Sequence, residues 1–321
     1  MKHADSGRSL PIIIDTDAGT DDFLAIAYLL AQDVPIEAIT VVHGLAHVSD
    51  GARNLRGLLE LAGRTDVPVY EGEELPLQGG QPFPAEWRLR TDSLPGVMLP
   101  QVQANLANPG SAVPFLKRRF TEEQRPVRVL ALGPLTNLAL ALNGVPTPSP
   151  CVKEIVIMGG AVEVAGNLAG GNPEEAENDV AEWNIYADPH AADAVLRMDF
   201  RRVLVPLDAT NDLPITRSFV EDLASHQLTA LGRVVAEVLT SSLTLIDSGA
   251  YFAWDPLAAV GMLHPRVIEC RGAFLEIVKD GKNAGQTRLV RWDDRSSMKV
   301  AVKANRTAFE SLFSEFLFER F

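Results

Sequence analysis

The stretch Ile12-Ile13-Ile14-Asp15-Thr16-Asp17-Ala18-Gly19-Thr20-Asp21-Asp22 decides how the rest of the chain is read. A short apolar run, Leu10–Ile14, reads as a buried strand, and Phe23–Ala31 follows with helical spacing. Between them four carboxylates, Asp15, Asp17, Asp21 and Asp22, fall within eight residues. Gly19 permits a tight turn closed to other residues. Open α/β sheets place ligands at the carboxyl end of their strands, where this turn lies. Four like charges so close repel one another and raise their pKa values unless a cation compensates. An oxygen-rich cluster suits Ca²⁺ or Mg²⁺, and zinc is disfavoured because no His or Cys lies nearby. Asp21 and Asp22 could instead cap the helix, which accounts for at most two of the four. The spacing is not that of an EF-hand loop.

Outward from this turn, strand-like and helix-like segments alternate. Ile36–Val42 reads as a strand, followed by a helix capped by Ser49. Val127–Leu132 is a strand, with the turn Gly133-Pro134 and the helix TNLALAL after it. Ile155–Met158 and Val203–Pro206 add two strands. The alternation predicts an α/β fold: a single large, open, mainly parallel twisted sheet with helices on both faces. Residues 71–114 and 159–181 read as long loops, of the kind that carry function or move. Beyond Gly272, the strand-like AFLEIVKD and MKVAVKA and a helix from about Thr307 extend the same unit. No linker or repeat divides the chain, so residues 1–9 read as a flexible N-terminus and 10–321 as a single domain.

Composition bounds the function. The chain has 321 residues, 46% hydrophobic and 22% charged, as globular proteins do. The formal net charge of −13 argues against a nucleic-acid partner, because phosphate contacts need clustered Lys and Arg. No apolar run approaches the roughly 20 residues of a membrane helix. Cys151 and Cys270 are too few and too far apart for a disulfide framework. The polar N-terminus lacks the apolar segment of a signal peptide. Together these features predict a soluble, cytoplasmic protein.

The opening segment resembles the nucleoside hydrolases, whose first motif is DxDxGxDD; here it is Asp15, Asp17, Gly19, Asp21, Asp22. Further matches follow in that family's order: LGPLTNLA (132–139), EIVIMGGAVEVAGN (154–167), AEWNIYADP (181–189), DATN (208–211) and AYFAWDPLAAV (250–260). The resemblance implies a bound Ca²⁺ held by Asp17, Asp22, the backbone carbonyl of Leu132 and Asp255. It also implies a ribonucleoside substrate whose ribose meets Asp21, Asn167, Glu182 and Asn184, with Met158 in the same pocket. Taken alone, Asp255 reads equally as a helix N-cap before Pro256, Asn167 as a turn residue, and Glu182 and Asn184 as a solvated loop. The implied reaction is hydrolysis of the N-glycosidic bond to ribose and free base. A Ca²⁺-bound water attacks C1′, Asp17 takes its proton, and carboxylates stabilise the oxocarbenium-like ribose. Asp15, Asp17, Asp21, Asp22, Glu182 and Asp255 are expected to converge on one pocket.

Within the family, one branch carries a His before the late Asp ligand; here that position is Trp254. Trp254, with Trp87 in PFPAEWR (82–88), resembles the branch that prefers inosine, adenosine and guanosine and stacks the base between two aromatic rings. A broad or pyrimidine-preferring specificity is the alternative. His43 and His47 could approach the pocket from the second strand, and Trp183 and Trp292 read as packing residues. Leu45 and Ala46 stand where relatives are polar, which removes a polar contact from that turn. Ala18 replaces a common Pro, an exchange expected to matter little. The acidic 167–182 loop reads as a lid. The resemblance also implies a homodimer or homotetramer. Two other classes compete: a haloacid-dehalogenase-like phosphatase with Asp15 as nucleophile, which Gly19 disfavours, and a non-catalytic nucleoside-binding protein.

Overall fold

The computed structural model describes residues 10–32, 34–102, 109–147, 149–168 and 177–319. The N-terminal segment 1–9 and much of the expected lid fall outside these residues.

The strands are β1 (Ile12–Thr16), β2 (Ile36–Val41), β3 (Val69–Glu71), β4 (Val127–Ala131), β5 (Val152–Met158), β6 (Arg202–Val205), β7 (Ile268–Ile277), β8 (Thr287–Trp292) and β9 (Met298–Ala304). The helices of the first half are α1 (Thr20–Ala31), α2 (Val48–Leu61), α3 (Ala85–Ser93), α4 (Ala112–Glu122) and α5 (Thr136–Leu142). Those of the second half are α6 (Trp183–Ala187), α7 (Pro189–Arg197), α8 (Leu207–Thr210), α9 (Arg217–Ala224), α10 (Ala230–Ser241), α11 (Leu243–Asp247), α12 (Trp254–Leu263) and α13 (Arg306–Ser314).

Among the described residues the strand order is β3-β2-β1-β4-β5-β6-β9-β7-β8. Every pairing from β3 to β9 is parallel, and β7 runs antiparallel to both β9 and β8. The chain winds outward from β1 in both directions, so β1 and β4 flank the point where strand order reverses. Ligand crevices open there in sheets of this type.

Alternate residues of the parallel strands feed two separate cores. Ile12, Ile14, Ile39, Leu130 and Val156 pack under α1, α2, α10 and α12. Ile13, Val129, Ile155, Ile157 and Leu204 pack under α4, α5 and α7. Both faces are buried, which is why the strands read as continuous apolar runs rather than alternating ones. No described helix is long and apolar enough to cross a membrane.

Several local expectations shift. Helix α2 begins at Val48 with His47 at its N-cap position, so Ser49 lies inside the first turn. The stretch 71–114 is not wholly loop: it contains α3, which carries Trp87. Strand β3 is only three residues long and β8 has exposed polar positions, so neither carries a strong apolar signature. Ala18 adopts φ 56°, in the left-handed region, and its N–H donates to Thr16 Oγ1 at 3.0 Å. Proline has neither that φ nor an N–H, so the exchange at 18 shapes the turn rather than leaving it unchanged.

Candidate active site

A cavity of about 130 Å³ opens at the carboxyl ends of β1, β4 and β5. Asp17, Asp21, Asp22, Leu132, Met158, Asn167, Glu182, Asn184, Asp255, Trp87 and Trp254 all line it. The turns after β1, β4 and β5 meet there because parallel strands deliver their following turns to the same edge, and α3, α6 and α12 close the sides.

The turn after β1 is built from its own side chains. Asp22 accepts from the N–H of Gly19 at 2.9 Å and from the hydroxyl of Thr16. Asp22 thus satisfies the start of α1 and still faces the cavity, so the capping and site readings hold together. Asp17 lies beyond the strand, and its Oδ2 accepts from the Leu45 N–H at 2.7 Å. The polar contact that Leu45 and Ala46 seemed to remove is therefore supplied by main chain.

Asp15 does not join the pocket. It is 1% exposed, and its Oδ1 accepts from Thr40 Oγ1 at 2.5 Å and Asn137 Nδ2 at 2.9 Å. Burial pushes its carboxyl up to about 7. A carboxylate sealed between two strands and a helix cannot attack a phosphate ester, which removes the phosphatase reading.

Asp255 is also not a helix cap. Ala253 holds the N-cap position of α12 and Asp255 sits in its first turn. It is 1% exposed, and neither carboxylate oxygen meets a hydrogen-bond donor among the described residues. Carboxylate oxygens of Asp21, Asp22 and Asp255 lie within 4.8 Å of one another. Burial, then repulsion from neighbouring carboxylates, holds Asp22 and Asp255 well above the usual range. Burial likewise raises Asp17. No Lys or Arg pairs with these groups among the described residues. Such a cluster is costly unless a cation sits among its oxygens, and hard oxygen donors suit a divalent ion such as Ca²⁺. The tightest group contains Asp21, where the family resemblance implies Asp17.

Glu182 is buried rather than solvated. Its Oε1 accepts from the Asn184 N–H at 2.9 Å, and its Oε2 from Gly160 at 2.8 Å and Ile185 at 3.2 Å. Burial lifts its carboxyl to about 7 against these bonds. Asn184 is buried too, and its Nδ2 donates to the Leu132 carbonyl at 2.9 Å. Asn167 Oδ1 accepts from the Trp183 N–H at 3.1 Å, so it joins the loop after β5 to α6. Asp208 of the DATN motif accepts from Val162 and Glu163 N–H at 2.9 and 2.8 Å, holding the root of that loop.

The outer wall is aromatic. Phe83 stacks on Trp183 with centroids 4.6 Å apart, and Trp87 meets Trp183 edge-on at 5.6 Å. Trp254 packs against Tyr251 and Phe252 and lines the same cavity. Trp183, read from sequence as packing, lines the pocket as well; its place beside Glu182 was the available signal. A wider vestibule of about 460 Å³ continues outward past Trp87, Trp183 and Trp254. Trp292 does pack, under the Arg271 guanidinium at 4.2 Å.

Neither candidate histidine lines the cavity. His47 Nδ1 donates to the Asp92 carboxylate at 2.6 Å, fastening α2 to α3. With Asp50 this makes a second possible metal group, but Asp50 is already paired with Arg53. His43 is buried against Thr136.

Over residues 12–311 the chain matches the family described as inosine-uridine preferring nucleoside hydrolase. It is 33% identical to uridine nucleosidase 1 of Arabidopsis thaliana, over 89% of this chain and 85% of that protein. The fold is similar to that of a plant nucleoside hydrolase, with TM-score 0.81, 30% identity, and coverage of 96% of this chain and 98% of that one. It is also similar to that of a purine-preferring ribonucleoside hydrolase from Gardnerella vaginalis, with TM-score 0.79, 24% identity, and coverage of 94% and 96%.

Proposed function

This chain belongs to the inosine-uridine preferring nucleoside hydrolases, N-glycosyl hydrolases acting on small nucleosides, and from that premise we propose that it cleaves purine ribonucleosides in preference to pyrimidine ones. The observation that carries the purine reading is the aromatic rim. Trp87 and Trp254 border the same cavity as the carboxylates, where flat faces can flank a fused two-ring base.

Asp17, Asp22, Asp255 and the Leu132 carbonyl would hold Ca²⁺, which when bound polarises a water and anchors ribose hydroxyls. Asp17 acts as the general base. Leu45 holds its Oδ2, leaving Oδ1 to accept the proton of a water placed at C1′. Asp21, Asn167, Glu182 and Asn184 take the ribose hydroxyls. Carboxylates accept the donated protons, and the amides serve either way. As the bond to the base breaks first, positive charge grows on the ribose, and the surrounding carboxylates stabilise it. Met158 supplies an apolar floor. The base leaves between the indoles and takes a proton from solvent at a ring nitrogen, which balances the proton that Asp17 removes from the attacking water. We place the enzyme in the cytoplasm, as a homodimer or homotetramer folded as one domain from residue 10.

The experiment is ribose release from inosine and from uridine, with and without exhaustive chelation. Faster turnover of inosine that collapses on chelation and returns with Ca²⁺ is expected. Equal or better turnover of uridine would overturn the purine preference and favour the second reading, which the name of the Arabidopsis relative motivates. Tight nucleoside binding with no cleavage would leave only a binding protein.

A further inference from the structure

We propose that His43 is a positioning residue for Asp17: held by Thr136 and Asp188, it fixes the main chain of Gly44 and Leu45 against the Asp17 carboxylate. The inference rests on the reading of Asp17 as the proton acceptor.

Three buried side chains form one directed chain of hydrogen bonds. Thr136 Oγ1 donates to Asp188 Oδ2 at 2.7 Å and lies 2.8 Å from His43 Nε2. A hydroxyl has a single proton, and this one goes to the carboxylate, so His43 donates from Nε2 and Thr136 accepts. Asp188 is fully buried and anchored in turn, its Oδ1 by the Ala191 N–H at 2.9 Å and its Oδ2 by the Leu77 N–H at 2.8 Å. The backbone N–H of His43 is itself taken by the Glu73 carbonyl at 2.8 Å. The ring cannot turn away without taking its Nε2–H off the Thr136 oxygen and leaving that buried donor unpaired.

What hangs from this ring is the turn that touches Asp17. A Cβ on Gly44 would lie 2.1 Å from Asp17 Oδ2, so only glycine lets the main chain press so close. The next N–H, of Leu45, donates to that same oxygen at 2.7 Å, and the Ala46 N–H reaches the Asp17 carbonyl at 3.2 Å. Neither His43 nor Thr136 lines the cavity. Their effect on chemistry therefore passes through the Leu45 N–H, which occupies one carboxylate oxygen and presents the other. Polar partners that orient a working side chain in this way change rate more than substrate affinity.

The test compares Thr136→Val, Thr136→Ser and His43→Asn with Asp17→Asn, reading kcat and KM for ribose release from inosine. Thr136→Val and His43→Asn, whose amide is too short to reach the hydroxyl, should lose about 10–100-fold in kcat with KM little moved. Thr136→Ser should restore the rate, because it keeps the hydroxyl. A crystal structure of Thr136→Val should show the Leu45–Asp17 contact opened beyond about 3.5 Å. Near-parental kcat in both Thr136→Val and His43→Asn, with Asp17→Asn inactive, overturns the relay while leaving the role of Asp17 intact. Loss in Thr136→Ser as deep as in Thr136→Val also overturns it, by assigning the effect to packing. An active Asp17→Asn enzyme overturns the reading of Asp17 itself. Should Thr136→Val not fold, His43→Asn and Thr136→Ser carry the same comparison.

Discussion

Asn184 Nδ2 donates to the Leu132 carbonyl across 2.9 Å and reaches the Met158 carbonyl at 3.3 Å. One amide thus bridges the ends of the adjacent strands β4 and β5. The carbonyl proposed to hold the metal and the amide proposed to hold the ribose form a single hydrogen-bonded unit.

Replacing Asn184 by Leu removes that donor and leaves the buried Leu132 carbonyl without its amide partner. We expect calcium affinity to fall about 10–100-fold, the range for lost outer-shell partners, together with a higher KM for inosine. Calorimetric titration of EDTA-treated protein with Ca²⁺ reads the first directly. Calcium affinity equal to the parent's would confine Asn184 to substrate binding.

Asp255 carries two buried oxygens that meet no donor among the described residues, and they lie close to other carboxylates. Asp255→Asn should therefore stabilise the metal-free protein by about 1–3 kcal/mol, since it removes a repelling buried charge. It should also abolish the stabilisation that Ca²⁺ confers on the parent. Urea unfolding in EDTA and in calcium checks both halves. A less stable metal-free variant would mean the carboxylate cluster is compensated in some other way.

Trp254→Ala and Trp87→Ala should each lower kcat/KM for inosine by up to about tenfold, the scale of one aromatic stacking contact. Uridine, with one ring, should suffer less. Trp87 is 37% exposed, so its removal should leave the melting temperature nearly unchanged. Equal losses on both substrates would contradict selective stacking.

Burial holds the His43 imidazole down to about 4, with Asp188 opposing and Arg88 reinforcing the shift. Between pH 6.5 and 4 the unfolded chain therefore takes up a proton that the folded one refuses. Stability present above pH 6.5 is lost as pH falls through this window, by up to about 3 kcal/mol from this group. His43→Gln should flatten that part of the stability–pH curve, measured by urea midpoints. Parallel curves for parent and variant would show that His43 titrates normally.

Much of the architecture is legible in local pattern. Apolar runs locate β1, β2, β4, β5, β6 and β9, and TNLALAL marks α5 to the residue. β3 escapes because three residues are too few to show a pattern. β8 escapes because its outer positions face solvent and carry Arg288 and Arg291. Helix α3 hides in a Pro-rich stretch, since its stability comes from contacts such as His47 with Asp92 rather than from an apolar stripe.

The sequence by itself determined the alternation of the longer strands with helices, the acidic turn after β1 and the residue types available there. These depend on short-range periodicity and turn chemistry, which neighbouring residues dictate. Tertiary structure decided what each carboxylate does. Asp15 and Asp17 are two residues apart in one motif, yet Asp15 is closed off by Thr40 of β2 and Asn137 of α5 while Asp17 faces the cavity. Those partners lie 25 and 122 residues away in the chain. The net charge of −13 is a property of composition; the convergence of Asp17, Asp21, Asp22, Glu182 and Asp255 on one cavity exists only because the fold brings distant turns to a common edge.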